Sequence, residues 1–320
     1  MALGEFELIR RYFADTRPGR GDTALGIGDD AALLRPPAGL ELAVTTDTLL
    51  AGVHFLPGVD PATLGHKVLA VNLSDLAAMG AEPAWCLLAL TLPAADEDWL
   101  RRFSGGFRDL ARAHGVDLVG GDTTRGPLSI TVQAIGLVPP GQALGRSGAR
   151  PGDLIYVSGP LGSAGLGLAM QQGTVLPLDP PTVAALETPQ PRCALGRALR
   201  GLASACIDVS DGLAADLGHL LTASRVGARL LYEQVPLSDR VRRHIASGGD
   251  AALPLMAGDD YELCFTIPRA RRREADELLR RLELAGGCIG EVEEQPGLRI
   301  FRHGAPLTLQ KKGYDHFLSP

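Results

Sequence analysis

Apolar residues along this 320-residue chain recur at two spacings, and the alternation between them sketches the fold. Leu3, Phe6, Ile9 and Phe13 stand three and four apart, which predicts a helix over 3–14. A short apolar run predicts a strand over 40–46, an Ala-, Leu- and Val-dense stretch a helix over 61–79, and another run a strand over 85–92. An amphipathic helix is expected over 97–114, then strands over 117–119 and 128–138 flanking a Gly-rich turn. Residues 139–152 are rich in Gly, Pro and Arg and carry almost no apolar period, so they mark a boundary between domains at 1–140 and 150–320.

Beyond that boundary the alternation resumes. Strands are predicted over 153–158, 205–208, 228–232, 262–267 and 299–301. A Gly-rich turn from Gly159 runs into a helix ending near Met170. Single helices are expected over 183–199, from the turn after Asp208 through Val226, and over 269–284. Strands and helices alternating on both sides of the boundary imply an α/β (mixed α+β) protein of two domains.

Composition narrows the chemistry. Forty-five percent apolar residues suffice for a core, and a net charge of −6 argues against a nucleic-acid partner. No apolar run reaches membrane-spanning length, and Arg10, Arg11, Asp15 and Arg17 interrupt any signal-peptide core. Five dispersed cysteines without a C-x-x-C read as reduced thiols of a cytoplasmic protein. Lysine occurs only at 67, 311 and 312, and no Gly-Lys pair exists, so a P-loop is excluded.

Six places share one design, an apolar run followed by a short turn holding aspartate. They are G-I-G-D-D (Asp29, Asp30), V-T-T-D-T (Asp47), V-N-L-S-D-L (Asp75), V-G-G-D-T-T (Asp122), I-D-V-S-D-G (Asp208, Asp211) and A-G-D-D-Y-E-L (Asp259, Asp260, Glu262). Singly, each is an ordinary turn or helix-cap residue. Together they suggest carboxylates gathered at strand ends around Mg²⁺, a cation that takes oxygen ligands and shares them with phosphates. The absence of a His/Cys pattern argues against zinc. Gly120 and Gly121 permit close backbone approach to a ligand. Gly159, Gly162, Gly165 and Gly167 lead into a helix whose N–H groups are candidates to face an anion, with close helix packing as the alternative reading.

The ordered set G-I-G-D-D-A-A-L, T-T-D-T-L-L-A-G-V-H-F, N-L-S-D-L-A-A-M-G-A-E-P, G-G-D-T-T, S-G-A-R-P-G-D, D-V-S-D-G-L, G-D-D-Y-E-L and G-Y-D-H-F, spanning residues 26 to 317, resembles the thiamine-monophosphate kinase family. The wider superfamily includes aminoimidazole-ribonucleotide synthetase. The resemblance implies a homodimer of two-domain, aminoimidazole-ribonucleotide-synthetase-like subunits, paired through their N-terminal sheets, with the site between the domains. It implies Mg²⁺ ligands at Asp30, Thr45, Thr46, Asp47, Asp75, Asp122, Asp208 and Asp211. It implies ATP contacts at Gly121, Asp122, Arg146 and Ser210, and contacts to thiamine monophosphate at His54, Glu262 and Tyr314. Thr45 stands where the family commonly has Ser and keeps the hydroxyl; Ser104 stands near a common Tyr, so no aromatic nucleotide contact is expected from that helix.

The implied reaction moves the γ-phosphoryl of ATP onto the phosphate of thiamine monophosphate, the last step of thiamine diphosphate synthesis. A phosphate nucleophile with second pKa near ~6 is already ionised, so no residue is assigned as general base. The residue chemistry leaves two alternatives: another ATP-dependent enzyme of the superfamily, of the ribonucleotide cyclo-ligase type, and a non-catalytic nucleotide or thiamine sensor.

Overall fold

The computed structural model describes residues 4–14 and 19–309. They divide into two units: Met1–Leu76 with Ala81–Gly141, and Ala77–Gly80 with Gln142–Pro320.

The first unit runs α1 (Glu5–Tyr12), β1 (Thr23–Leu25), β2 (Leu33–Leu34), β3 (Glu41–Leu50), α2 (Pro61–Ala78), β4 (Glu82–Leu92), α3 (Glu97–Ala113), β5 (Asp117–Arg125) and β6 (Ser129–Val138). Its main sheet has the order β3–β6–β4–β5. β6 pairs antiparallel with both β3 and β4, and β4 pairs parallel with β5. Along β3 burial alternates, with Ala43, Thr45, Asp47 and Leu49 turned inward and Leu42, Val44, Thr46, Thr48 and Leu50 exposed. That period of two means one face is covered and the other open over this stretch.

α2 is buried along most of its length because it lies against α3 as well as the sheet. A Cβ on Gly65 would fall 2.1 Å from the Phe103 carbonyl oxygen, and one on Gly106 would fall 1.9 Å from that of Ala62. The two helices therefore meet backbone to backbone. α3 starts at Asp96, whose carboxylate accepts from the Asp98 and Trp99 amides.

The strand expected over 117–119 continues to Arg125, so the G-G-D-T-T segment is strand rather than turn. The reason is local. Gly121 has φ +150°, and a Cβ there would lie 1.9 Å from the Leu88 carbonyl oxygen. Only glycine lets β5 follow β4 past the irregularity at Cys86–Leu87.

The second unit contains β7 (Leu154–Val157), α4 (Ser163–Gln171), α5 (Pro180–Glu187), α6 (Cys193–Ala198), β8 (Ala205–Asp208), α7 (Leu213–Ser224), β9 (Gly227–Leu231), α8 (Asp239–Ala246), α9 (Leu253–Met256), β10 (Leu263–Ile267), α10 (Arg272–Arg281), β11 (Gly287–Glu293), β12 (Gly297–Arg302) and β13 (Ala305–Pro306). The sheet order is β13–β12–β9–β11–β7–β10–β8, antiparallel except for β9 with β12. Its core gathers Ile155, Val157, Ile207, Leu217, Leu220 and Ile289. The single helix expected over 183–199 is two helices, parted at Thr188-Pro189-Gln190-Pro191, where two prolines remove ladder donors. β11 was not anticipated, because Gly286, Gly287 and Gly290 dilute its apolar pattern. Among the described residues no helix is long and apolar enough to cross a membrane.

Candidate functional site

Three of the six aspartate places are not turns. Asp47 lies inside β3, Asp75 inside α2 and Asp122 inside β5. An apolar run followed by Thr-Thr-Asp or Gly-Gly-Asp reads as a strand with a turn after it. Here the β-branched threonines and the glycine that must pass Leu88 extend the strand instead.

In the first unit the structure brings together Thr45 and Asp75. The Thr45 hydroxyl donates to Asp75 Oδ2, joining β3 to α2. Asp47 lies two residues on from Thr45 and so shares the covered face. Thr46 faces the other way and gives its hydroxyl to the Val132 carbonyl at 3.1 Å. Asp122 pairs with Ala89 and then, across the sheet, with Thr131 and Thr48. It therefore lies on the open face with Thr46, at the far edge from β3. Three strand spacings separate the edges, about 14 Å, so one chain does not bring Asp122 to Asp47. Asp30 is exposed in the loop before β2, its amide bonded to the Asp29 carboxylate at 3.0 Å. His54 closes the turn after β3: the Leu50 amide donates to Nδ1 at 3.0 Å, which leaves the ring proton on Nε2. Ser104 is fully buried with its hydroxyl on the Arg101 carbonyl, so it faces no ligand.

In the second unit Asp208 ends β8 and is buried; Ser210 and Asp211 occupy the turn before α7. This turn is held by Asp216, a residue the sequence reading missed. Its Oδ2 accepts from the Asp211 amide at 3.0 Å and the Gly212 amide at 3.1 Å. Burial pushes its carboxyl up to about 7. The signal was present as an acid in the first turn of a helix, five residues after Asp211, where carboxylates bind free amides. The opposite wall of the turn is the 258–262 loop. The Asp259 amide bonds the Ser210 carbonyl, and the Tyr261 amide that of Val209, both at 2.8 Å. Asp259 and Tyr261 adopt left-handed φ values of 67° and 49°, a backbone cost retained at this loop.

Asp260 corrects the expectation for the Gly-rich helix. Its carboxylate accepts from the Gly162 amide at 2.6 Å and the Ala164 amide at 3.2 Å, at the N-terminus of α4. The chain's own acid fills the position proposed for an anion, and burial lifts its carboxyl to about 7. Gly165 and Gly167 serve packing instead, since a Cβ would meet Ala257 at 2.3 Å and the Thr182 carbonyl oxygen at 2.6 Å.

Glu262 is 5% exposed. Arg192 Nε donates to its Oε2 at 2.8 Å, Arg192 Nη2 donates to Oε1, and the Ser158 hydroxyl donates to Oε2. Burial opposes the Arg192 charge, but the hydrogen bonds and charge of Glu262 prevail and hold its pKa above the usual value. Arg146 projects from an exposed loop that Ser224 pins. The Ser224 hydroxyl donates to the Arg146 carbonyl at 3.0 Å and accepts from the Ala149 amide at 3.2 Å. Tyr314 lies outside the described residues.

Among the described residues no group of three or more His, Cys, Asp or Glu side chains is arranged as a ready-made metal cage. Among the described residues neither unit by itself gathers three of the expected carboxylates. What is present is an oxygen-only donor set, Thr45, Asp75 and Asp47 on one side of a sheet. Hard donors in ones and twos fit Mg²⁺, which completes its shell with water and substrate phosphate, and do not fit zinc.

The chain matches the AIR synthase related protein families, the N-terminal domain over residues 28–138 and the C-terminal domain over 150–303. It is 51% identical over 325 aligned residues to the thiamine-monophosphate kinase of Escherichia coli (strain K12), covering all of both chains. It superimposes on the crystal structure of thiamine-monophosphate kinase from Stenotrophomonas maltophilia K279a with a TM-score of 0.87 and 46% identity, over 96% of this chain and 99% of that one. It also superimposes on AaThiL complexed with AMPPCP and TMP, with a TM-score of 0.78 and 32% identity over 99% of each chain. With both domains matched in order and half the residues shared along the whole length, the chain belongs to the thiamine-monophosphate kinase family.

Proposed function

We propose that this chain transfers the γ-phosphoryl group of ATP directly to the phosphate of thiamine monophosphate, giving thiamine diphosphate and ADP. The observation that carries the reading is full-length identity to kinases of this name together with an oxygen-only donor set on β3 and α2. The attacking phosphate oxygen is already ionised, which removes the need for a general base. The obstacle is repulsion between two anions, about 4 kcal/mol per charge pair at about 4 Å in partly desolvated surroundings.

The residues divide that task. In this reading Asp47 and Asp75 with the Thr45 hydroxyl would hold Mg²⁺ from β3 and α2, Asp30, Thr46 and Asp122 are further candidate ligands of the first unit, and Asp208 and Asp211 are candidate ligands of the second. Mg²⁺ bound there supplies charge neutralisation and orients the phosphates for in-line displacement. Asp216 keeps the Ser210–Asp211 turn rigid by binding its amides. Arg146 would meet nucleotide phosphate as a fixed positive charge, and Gly121 and Ser210 are the other candidate ATP contacts. His54 is the candidate contact to the substrate phosphate, and Glu262 and Tyr314 are the candidate contacts to the thiamine moiety.

The working form in this reading is a homodimer. Leu42 and Val44 are 50% and 56% exposed on the open sheet face, beside Leu50. An apolar sheet face of this kind supports burial against a second copy. Two sheets joined through both pairs of edges, β5 to β3 and β3 to β5, would enclose this face and set Asp122 of one copy beside the β3 edge of the other. Free thiols at all five cysteines, four of them buried, support a cytoplasmic setting.

The test is incubation with ATP, Mg²⁺ and thiamine monophosphate, followed by separation of thiamine esters. Thiamine diphosphate accumulating with ADP in equal amounts is the expected result. Ligand binding without turnover would establish a sensor instead, and turnover of a ribonucleotide amide would establish a cyclo-ligase.

A further inference from the structure

One buried acid of the second unit has no duty in the chemistry described above. Asp153 closes the S-G-A-R-P-G-D motif, is 6% exposed and stands just before β7. Its Oδ2 accepts from the Ser204 hydroxyl at 2.6 Å and from the Arg150 amide at 3.0 Å. Ser204 is fixed from behind. Its amide donates to the Thr266 carbonyl at 2.8 Å, and its side-chain oxygen stands 2.6 Å from the Thr266 hydroxyl. With the Ser204 proton given to Asp153, the Thr266 hydroxyl is the donor of that second pair.

This network holds residues 145–150, the stretch that carries Arg146. The stretch is neither helix nor strand, so its backbone groups are met by neighbours. The Gly145 carbonyl accepts the Cys206 amide at 2.9 Å. Cys206 lies in β8, an edge strand, so the stretch covers part of that edge. The Arg146 carbonyl and the Ala149 amide both bond the hydroxyl of Ser224, the last residue of α7. Gly148 crosses Ser204 itself: at φ +125° a Cβ there would lie 2.4 Å from the Ser204 carbonyl oxygen. The anchors are thus Asp153 and residues of the segment 204–224. β8 and α7, which belong to that segment, also flank the Asp208–Asp211 turn. Arg146 is fixed through its backbone to the same frame as that turn.

We infer that Asp153 and Ser204 are positioning residues for Arg146, holding 145–150 as a preformed strap so that nucleotide phosphate meets a guanidinium whose backbone is already ordered. The inference deepens the proposed function and rests on its assignment of Arg146. A strap ordered in advance spares binding the entropy of ordering it, and one freed backbone residue corresponds to about a tenfold change in affinity.

The test compares the full-length wild type with Ser204→Ala, Gly148→Ala, Arg146→Ala and the two double variants that include Arg146→Ala. Ser204→Ala removes the hydroxyl. Gly148→Ala sets a Cβ against the Ser204 carbonyl and leaves the Asp153 bonds in place, so two unlike lesions reach one contact. The readouts are KM for ATP, KM for thiamine monophosphate, and the Kd of ADP with Mg²⁺ by titration calorimetry. Ser204→Ala and Gly148→Ala are each expected to raise KM for ATP and Kd for ADP about 5- to 10-fold, and to change KM for thiamine monophosphate less than about 2-fold. In the Arg146→Ala background neither should add more than about 2-fold, because the strap then carries no contact to position.

Equal losses with and without Arg146 would overturn the inference, and so would a lowered Tm with unchanged affinity for both nucleotides. Either result would leave the network to the fold alone. An Arg146→Ala chain that binds ADP as the wild type does would overturn it too. If Ser204→Ala does not fold, Gly148→Ala carries the same comparison. A wild type that binds ADP but forms no thiamine diphosphate would instead defeat the proposed function, and the calorimetric series would still decide the strap.

Discussion

Asp260 offers a direct check on the physics of a buried acid. Replacing it with asparagine keeps the shape and one acceptor but removes the titration. In the folded chain burial raises the carboxyl to about 7, against 3.8 for an ordinary aspartate. The amide bonds from Gly162 and Ala164, which favour the charged form, do not offset this. The folded state thus holds a proton that the unfolded state releases between about pH 4 and pH 7. Its stabilising share is fully present below about pH 4 and is lost as pH rises to about 7, after which it is level. A gap of roughly 3 units at ~1.4 kcal/mol each gives about 4 kcal/mol in all, of which about 2 to 3 kcal/mol falls between pH 5 and pH 8. Urea unfolding of both proteins at pH 5, 6, 7 and 8 reads it out. Acids common to the two proteins cancel in the difference. With asparagine taken as equal to the protonated acid, Asp260→Asn should exceed the wild type by about 1 to 2 kcal/mol at pH 5 and by about 4 kcal/mol at pH 8. A difference profile flat across the series would refute the claim that burial outweighs the amide bonds, and would make Asp260 an ordinary charged helix cap.

Asp75→Asn and Asp122→Asn should each lower kcat by about 100-fold or more while moving Tm little, as for residues that act on metal-bound phosphate; a large melting shift with unchanged kcat would make them structural. Gly121→Ala should destabilise the chain by about 2 to 4 kcal/mol, because its Cβ would lie 1.9 Å from the Leu88 carbonyl oxygen and must part β4 from β5; calorimetry decides, and a shift below about 1 kcal/mol would mean the strands yield. Ser224→Ala should raise KM for ATP several-fold and leave KM for thiamine monophosphate unchanged, since it frees the loop that carries Arg146; steady-state kinetics on both substrates checks it.

Periodicity located the long elements well. The helix over 97–114 is α3, and the strand over 205–208 is β8. Where it failed, glycine and proline were the cause: a Gly-Gly pair read as a turn continues a strand, and two prolines inside an expected helix end it. Gly121 continues β5, Gly290 hides β11, and the two prolines after Thr188 split a helix. At the site, the sequence gathered the relevant acids but not their duties. Asp260 and Glu262 stand two apart in one motif, yet the first seals a helix end and the second is clamped by Arg192, 70 positions away. A sequence lists carboxylates alike; only tertiary contacts separate one that binds its own backbone from one left for a ligand. Asp216 escaped notice for the converse reason, an unmarked acid in a helix whose partners are amides.

The placement of β3 and β5 at opposite edges of the first unit's sheet has a genetic consequence. If Asp47 of one copy and Asp122 of another serve the same phosphates, two inactive variants can rescue each other. In a mixed dimer of Asp47→Asn with Asp122→Asn, one site collects both lesions and the other collects neither. Random reassortment of the two would restore about a quarter of wild-type activity, from heterodimers each with one intact site. Were both aspartates to act within a single chain, every site in the mixture would keep one lesion and the activity would stay lost.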